Sequence, residues 1–113
     1  MKVTRFDDAK SYEAPNHFGV VGLRLQGFED DGPTNQWVGY SQFLPGGGAG
    51  PDSTPFEKVY VVIEGEMTVI TGGTEVTLGK LDSCTIAPNE VRKIENRKND
   101  ICKMLVIMPY PPK

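Results

Sequence analysis

The sequence predicts an all-β fold, a sandwich or barrel of short antiparallel strands, on three observations. Thirteen glycines and nine prolines, together 22 of 113 residues, are spread through the chain and interrupt any long 3.6-residue pattern, so helix signals are poor. Runs of alternating, β-branched and aromatic residues recur, separated by turn residues at a spacing of roughly 8–12 positions that suits sandwiches and barrels. Two of the gaps between runs leave room only for tight turns.

The first 16 or so residues carry little pattern, and residues 1–17 read as an N-terminal arm. V-V-G-L-R-L-Q-G-F (20–28) alternates and forms the first expected strand, and F-E-D-D-G-P-T-N (28–35) is a solvated turn. N-Q-W-V-G-Y-S-Q-F-L (35–44) is aromatic-rich and is expected to end at P-G-G-G. K-V-Y-V-V-I (58–63) and E-M-T-V-I-T (66–71) flank Glu64 and Gly65, which predicts a hairpin; T-G-G-T joins the latter to E-V-T-L (75–78) in a second one. S-C-T-I-A (83–87) ends at Pro88 and Asn89, R-K-I-E-N (92–96) alternates, and C-K-M-L-V-I-M-P (102–109) closes the series. The Y-P-P-K tail cannot pair inside a sheet, because proline lacks the donor.

A chain of 113 residues supports one domain with one core. Its formal net charge is −3, and the one dense basic group, R-K-N (97–99) beside Arg92 and Lys93, is interrupted by Glu90, Glu95 and Asp100. That group reads as a solvated turn, and the balance argues against nucleic acid or an anionic membrane as partner. Cys84 and Cys102 are too few for a disulfide framework and sit at no metal-binding spacing, so a buried reduced pair is expected. The N-terminus has no apolar signal core and no stretch reaches the length of a membrane span, which makes the cytoplasm the expected compartment.

Two stretches carry a resemblance to a known family. One keeps the frame Gly46, five residues, Asp52-Ser53-Thr54, three residues, Lys58, six residues, Gly65, followed by E-M-T-V. The other is P-N-E-V-R-K-I-E-N, from Pro88 to Asn96. Over residues 43–109 the chain resembles the cupin family, of the RmlC-like, conserved-barrel type. The resemblance implies a double-stranded β-helix, or jelly-roll, barrel, with residues 1–113 as a single cupin domain and 43–109 as its core. It also implies a metal site of two histidines, a glutamate and a third histidine. At those places this chain has Asp52, Thr54, Lys58 and Arg92. One carboxylate, one hydroxyl and two cations do not suit a divalent first-row metal, so neither metal nor cofactor is expected. Strand parity turns Arg92 inward, since the opposite register would bury Lys93 together with Glu95. The segment from Pro88 to Arg92 is one residue short of the common spacing, which keeps Lys93 as the alternative. His17, in P-N-H-F-G, is expected at the surface or a strand edge.

Two cations converging inside an apolar barrel are costly unless paired. Asp52 can pair one, and the surplus charge suggests an anionic ligand: a carboxylate, phosphate or enolate. Arg92 would clamp it through its planar fork, with Lys58 as a point charge. Alternation turns Tyr60 and Val62 inward with Lys58, and turns Cys102, Met104, Val106 and Met108 away from Lys103. Trp37, Gly39, Ser41 and Phe43 share one face, where Gly39 and Ser41 leave room. The candidate ligand-binding residues are therefore Asp52, Thr54, Lys58, Arg92, Ser41, Trp37, Met104, Val106 and Met108, and the candidate catalytic residues are Lys58, Arg92 and Tyr60. Each has a purely structural reading beside it. Lys58 snorkels from the barrel mouth, Asp52 and Arg92 form a salt-bridge staple, and the methionines and aromatics fill core.

Three functions follow. The first is a metal-independent barrel that binds a small anionic, partly apolar metabolite. The second is a metal-free lyase or isomerase, in which Lys58 is the general base or Schiff-base amine, Arg92 stabilises an enolate or carboxylate, and Tyr60 or Asp52 handles the second proton. The third is a structural or oligomerisation module. The family resemblance adds a homodimer, with the N-terminal arm between protomers.

Overall fold

The computed structural model describes residues 1–111. They form a short 3-10 turn, Phe6–Asp8, and nine strands. These are β1 (Lys10–Tyr12), β2 (His17–Gln26), β3 (Gln36–Asp52), β4 (Lys58–Glu64), β5 (Met67–Thr71), β6 (Thr74–Leu78), β7 (Ser83–Ile86), β8 (Arg92–Glu95) and β9 (Cys102–Pro109). The antiparallel sheet runs β6-β5-β8-β3-β9-β4-β7, with β2 also paired to β3 and β1 to β2. This is the expected all-β jelly-roll architecture, curled into a nearly closed barrel.

The element that closes it is β3, whose 17 residues run straight through the P-G-G-G stretch expected to end it. Its first part lies beside β9, from Gln36 opposite Pro109 to Phe43 opposite Cys102. Its last part has changed neighbour, with Gly48 opposite Glu95 and Asp52 opposite Arg92 on β8. Glycine and proline lower strand propensity, and residues 44–47 have no ladder partner. Gly46 turns at φ +82°, and two backbone hydrogen bonds to Asn96, from Gly46 N–H to its carbonyl and from its N–H to the Gly47 carbonyl, carry the chain from one ladder to the next. Glycine is needed because the strands approach so closely: a Cβ on Gly48 would overlap the Ile94 carbonyl oxygen. Asn96, 1% exposed, staples the corner. Its side-chain amide donates to the carbonyls of Phe43 (3.1 Å), Leu44 (3.2 Å) and Asp100 (2.8 Å), while the backbone carbonyl of Asn96 accepts from Gly46 N–H (2.8 Å).

The hairpin expected between residues 58–63 and 66–71 does not form. β4 pairs with β7 and β9, and β5 pairs with β6 and β8, so neither strand has an edge left for the other. Gly65, at φ +83°, instead carries the chain from one face of the barrel to the opposite one. The second expected hairpin, β5 to β6 through Gly72 and Gly73, is present. Of the Y-P-P-K tail, Tyr110 follows β9 without pairing in the sheet, and Pro112 and Lys113 lie outside the described residues.

The core is one buried cluster that includes Phe43, Val62, Met67, Ile94 and Cys102 and reaches up to Tyr60 and Met104. Cys102 and Cys84 are both free, the first buried and the second half-buried. The register places Trp37 opposite Met108 and Phe43 opposite Cys102, so the residues between them lead from the core toward one end of the barrel. No helix among the described residues is long and apolar enough to cross a membrane.

Candidate functional site

That end holds a cavity of about 280 Å³. Every candidate ligand-binding and catalytic residue lines it: Trp37 and Ser41 from the first part of β3, Asp52 from its last residue, Thr54 from the loop beyond, Lys58 and Tyr60 from β4, Arg92 from β8, and Met104, Val106 and Met108 from β9. The ladders explain the convergence. Gly39, Val106 and Tyr60 form one row across β3, β9 and β4, and Ser41, Met104 and Val62 form the next. All lie on the concave face, and the missing side chain at Gly39 opens the row.

Arg92 is 5% exposed and Lys58 is 4% exposed, so both cationic side chains are buried. Lys93 points away and pairs with Glu95 at 2.7 Å, so the alternation favouring Arg92 holds. The guanidinium is only partly used: Arg92 Nε donates to the Tyr60 hydroxyl at 2.8 Å, while buried Nη1 has no partner. Asp52 does not supply the expected ion pair. Its Oδ1 accepts from the Ser53 backbone N–H at 2.8 Å, and among the described residues neither Lys58 nor Arg92 forms a salt bridge. Burial, reinforced by the charge on Arg92 and opposed by Asp52, pushes Lys58 down from 10.5 to about 8. Burial also raises Tyr60, with the Arg92 charge and hydrogen bond acting against it.

Four polar lining residues were not among the candidates: Tyr12, Glu13, His17 and Arg24. His17 sits at a strand edge, one of its two expected places, but it also lines the cavity, which was not expected. It opens β2 opposite Ala49, is half-buried, and faces the cavity with Nδ1 donating to the Pro15 carbonyl at 2.8 Å. Burial lowers its pKa below the ordinary histidine value; the hydrogen bond to Pro15 opposes this, and the charges of Arg92 and Lys58 lower it further. Tyr12 lies outside any recognisable pattern, on a three-residue strand held by β2. Arg24 was legible in principle: it shares strand parity with Val20 and Gly22 in V-V-G-L-R-L-Q.

The donor set does not fit the metal that the jelly-roll family implies. Among the described residues there is no group of three or more His, Cys, Asp or Glu able to hold an ion. Two buried cations at the ligand positions would repel one. What the arrangement offers is convergent donors: a guanidinium edge and an ammonium, with a phenol, against apolar walls.

A family model described as the cupin domain matches residues 39–108. The chain belongs to the cupin family. Its barrel is similar to that of the polyketide cyclase RemF from Streptomyces resistomycificus, with a TM-score of 0.85 and 21% identity over 99% of this chain and 82% of that one. It is also similar to an RmlC-like cupin from Shewanella frigidimarina, at TM-score 0.80 and 14% identity, covering 100% of this chain and 94% of that one. A protein of Mycobacterium tuberculosis named beta-D-galactosidase Rv1717 is 44% identical over 98% of this chain and 96% of its own length. In this cupin the metal-binding histidines are replaced, as the two frames around Asp52 and Arg92 indicate.

Proposed function

We propose that this cupin binds a small anionic, partly apolar organic molecule inside its barrel, without a metal. The observation that carries the reading is the buried, unpartnered Nη1 of Arg92 in a cavity shared with Lys58, where neither cation meets a carboxylate. An unsatisfied buried donor costs about 1–3 kcal/mol, more when charged, and an anion seated there removes that cost. Met104, Val106 and Met108 supply the apolar side. Isothermal titration with hexanoate and with phenyl phosphate tests this. Saturable binding that weakens with salt and falls about tenfold or more in Arg92→Gln supports it. Absence of binding across carboxylates and phosphates alike removes it. Affinity is also expected to fall as pH rises through about 8, where Lys58 loses its charge.

A second reading rests on the relative named beta-D-galactosidase, 44% identical over nearly the whole chain. In it the chain hydrolyses a β-D-galactoside. Glycoside hydrolysis ordinarily uses two carboxyl groups, and the cavity is lined by Asp52 and Glu13. Turnover of 4-nitrophenyl β-D-galactoside that is lost in Asp52→Asn favours it; no turnover above the blank discards it. Lys58, with a pKa near 8, also suits the metal-free lyase or isomerase, and borohydride trapping of an adduct at Lys58 tests its Schiff-base form.

A further inference from the structure

Three buried side-chain donors among the described residues lack a partner: Arg92 Nη1, Arg24 Nε and Trp37 Nε1. All three residues line the one cavity. Arg92 belongs to the anion site already argued. Arg24 and Trp37 lie on β2 and β3, on the far side of β9 from Lys58 and Tyr60.

Arg24 is held in a defined pose. Its guanidinium carbon sits 4.0 Å from the centroid of the Phe28 ring and 5.1 Å from that of Tyr12, so two aromatic faces fix it. No carboxylate neutralises it among the described residues. Glu29, close in sequence, is taken by Lys2 at 2.8 Å and Lys10 at 3.8 Å. Trp37 is held by the same two rings, 5.6 Å from Tyr12 and 5.4 Å from Phe28, and its indole N–H has no acceptor. Phe28, expected in a solvated turn, thus joins an aromatic box. Buried donors in folded proteins are nearly always satisfied, and three sharing one cavity describe the acceptors of what enters it.

We infer that Arg24 and Trp37 form a second oxyanion subsite, and that the ligand is a dianion with an apolar middle, one acidic group meeting Lys58 and Arg92 and the other meeting Arg24 and Trp37. The inference rests on the proposed anion site at Lys58 and Arg92. Arg24 stands opposite Gly39, in the row that continues through Val106 to Tyr60. That row spans three strand spacings, roughly 14 Å along the curved sheet, from which the inward side chains reach toward each other. Val106 lies midway, and the absent side chain at Gly39 leaves the path between the two ends open. A guanidinium with a free Nε edge suits a carboxylate or phosphate oxygen pair, and the indole N–H adds a third donor.

Titration calorimetry with hexanoate and with the α,ω-dicarboxylates from succinate to suberate, at pH 7 and constant ionic strength, tests it. One diacid of the series is expected to bind at least tenfold more tightly than hexanoate. Arg24→Gln and Trp37→Phe should each bring that ratio close to one; Trp37→Phe keeps a packed ring and loses only the N–H and some area. A wild-type ratio near one, or a ratio that neither variant moves, overturns the second subsite and assigns Arg24 to aromatic stacking alone. Hexanoate binding with no diacid preference overturns this inference and leaves the Lys58–Arg92 site standing. No binding by any of these acids, nor by phenyl phosphate, overturns both.

Discussion

Lys58 carries a cost that its protein neighbours do not offset. It is 4% exposed, forms no salt bridge among the described residues, and has its pKa pushed down to about 8. An unfolded chain holds that proton up to its ordinary value of 10.5, so between about 8 and 10.5 the unfolded state binds more protons than the folded one. The Lys58 contribution to stability therefore rises with pH across that window, and its full penalty is present below about 8. Lys58→Met is expected to be more stable than the wild type at pH 7, by about 1–4 kcal/mol, with the gap narrowing at pH 10. Urea unfolding of both proteins at the two pH values checks this, and a destabilised Lys58→Met would mean that Lys58 is paired. The raised thiol of Cys102 and the raised phenols act in the opposite direction and cancel in the difference. At this scale the sequence was most informative where strand parity applies. Lys58 with Tyr60, and Arg92 against Lys93, follow from a period of two. Tyr12 and His17 did not, because short arms and strand starts carry no period and their placement is decided by tertiary pairing.

β3 is the element on which the site depends. It carries Trp37 and Ser41 on one limb and Asp52 on the other, and the corner between them sets the angle at which those limbs face Lys58 and Arg92. Asn96 holds that corner through three side-chain donations to backbone carbonyls. Asn96→Ala strands those carbonyls and is expected to cost about 2–4 kcal/mol, read as a lowered urea midpoint with an unchanged slope. An unchanged midpoint would show that the ladders alone hold the corner. Asn96 stood out in the sequence as the end of the second frame, but its task did not. P-G-G-G read as a strand end because local propensity is all a single sequence offers there; the ladders and the Asn96 backbone bonds that carry the chain past it come from residues 17–26 and 92–109. The absent β4–β5 hairpin has the same cause. A tight turn predicts adjacency, and only the other ladders reveal that both edges of each strand are already taken.

For the whole molecule, the jelly roll was legible from turn spacing and from the two frames, since fold class depends on patterns spread over the entire chain. The identity of the ligand was not, because it depends on which donors are left over after every internal partner is assigned. The homodimer is likewise a proposal; a strictly monomeric protein at micromolar concentration in analytical ultracentrifugation would count against it. The most direct test takes untagged protein purified without added metal and measures its transition-metal content by elemental analysis and its retained small molecules by native mass spectrometry. The expected result is no stoichiometric metal and a small anion that Arg92→Gln no longer retains. One transition-metal ion per chain would contradict the anion pocket, because it would require ligands other than Asp52, Thr54, Lys58 and Arg92.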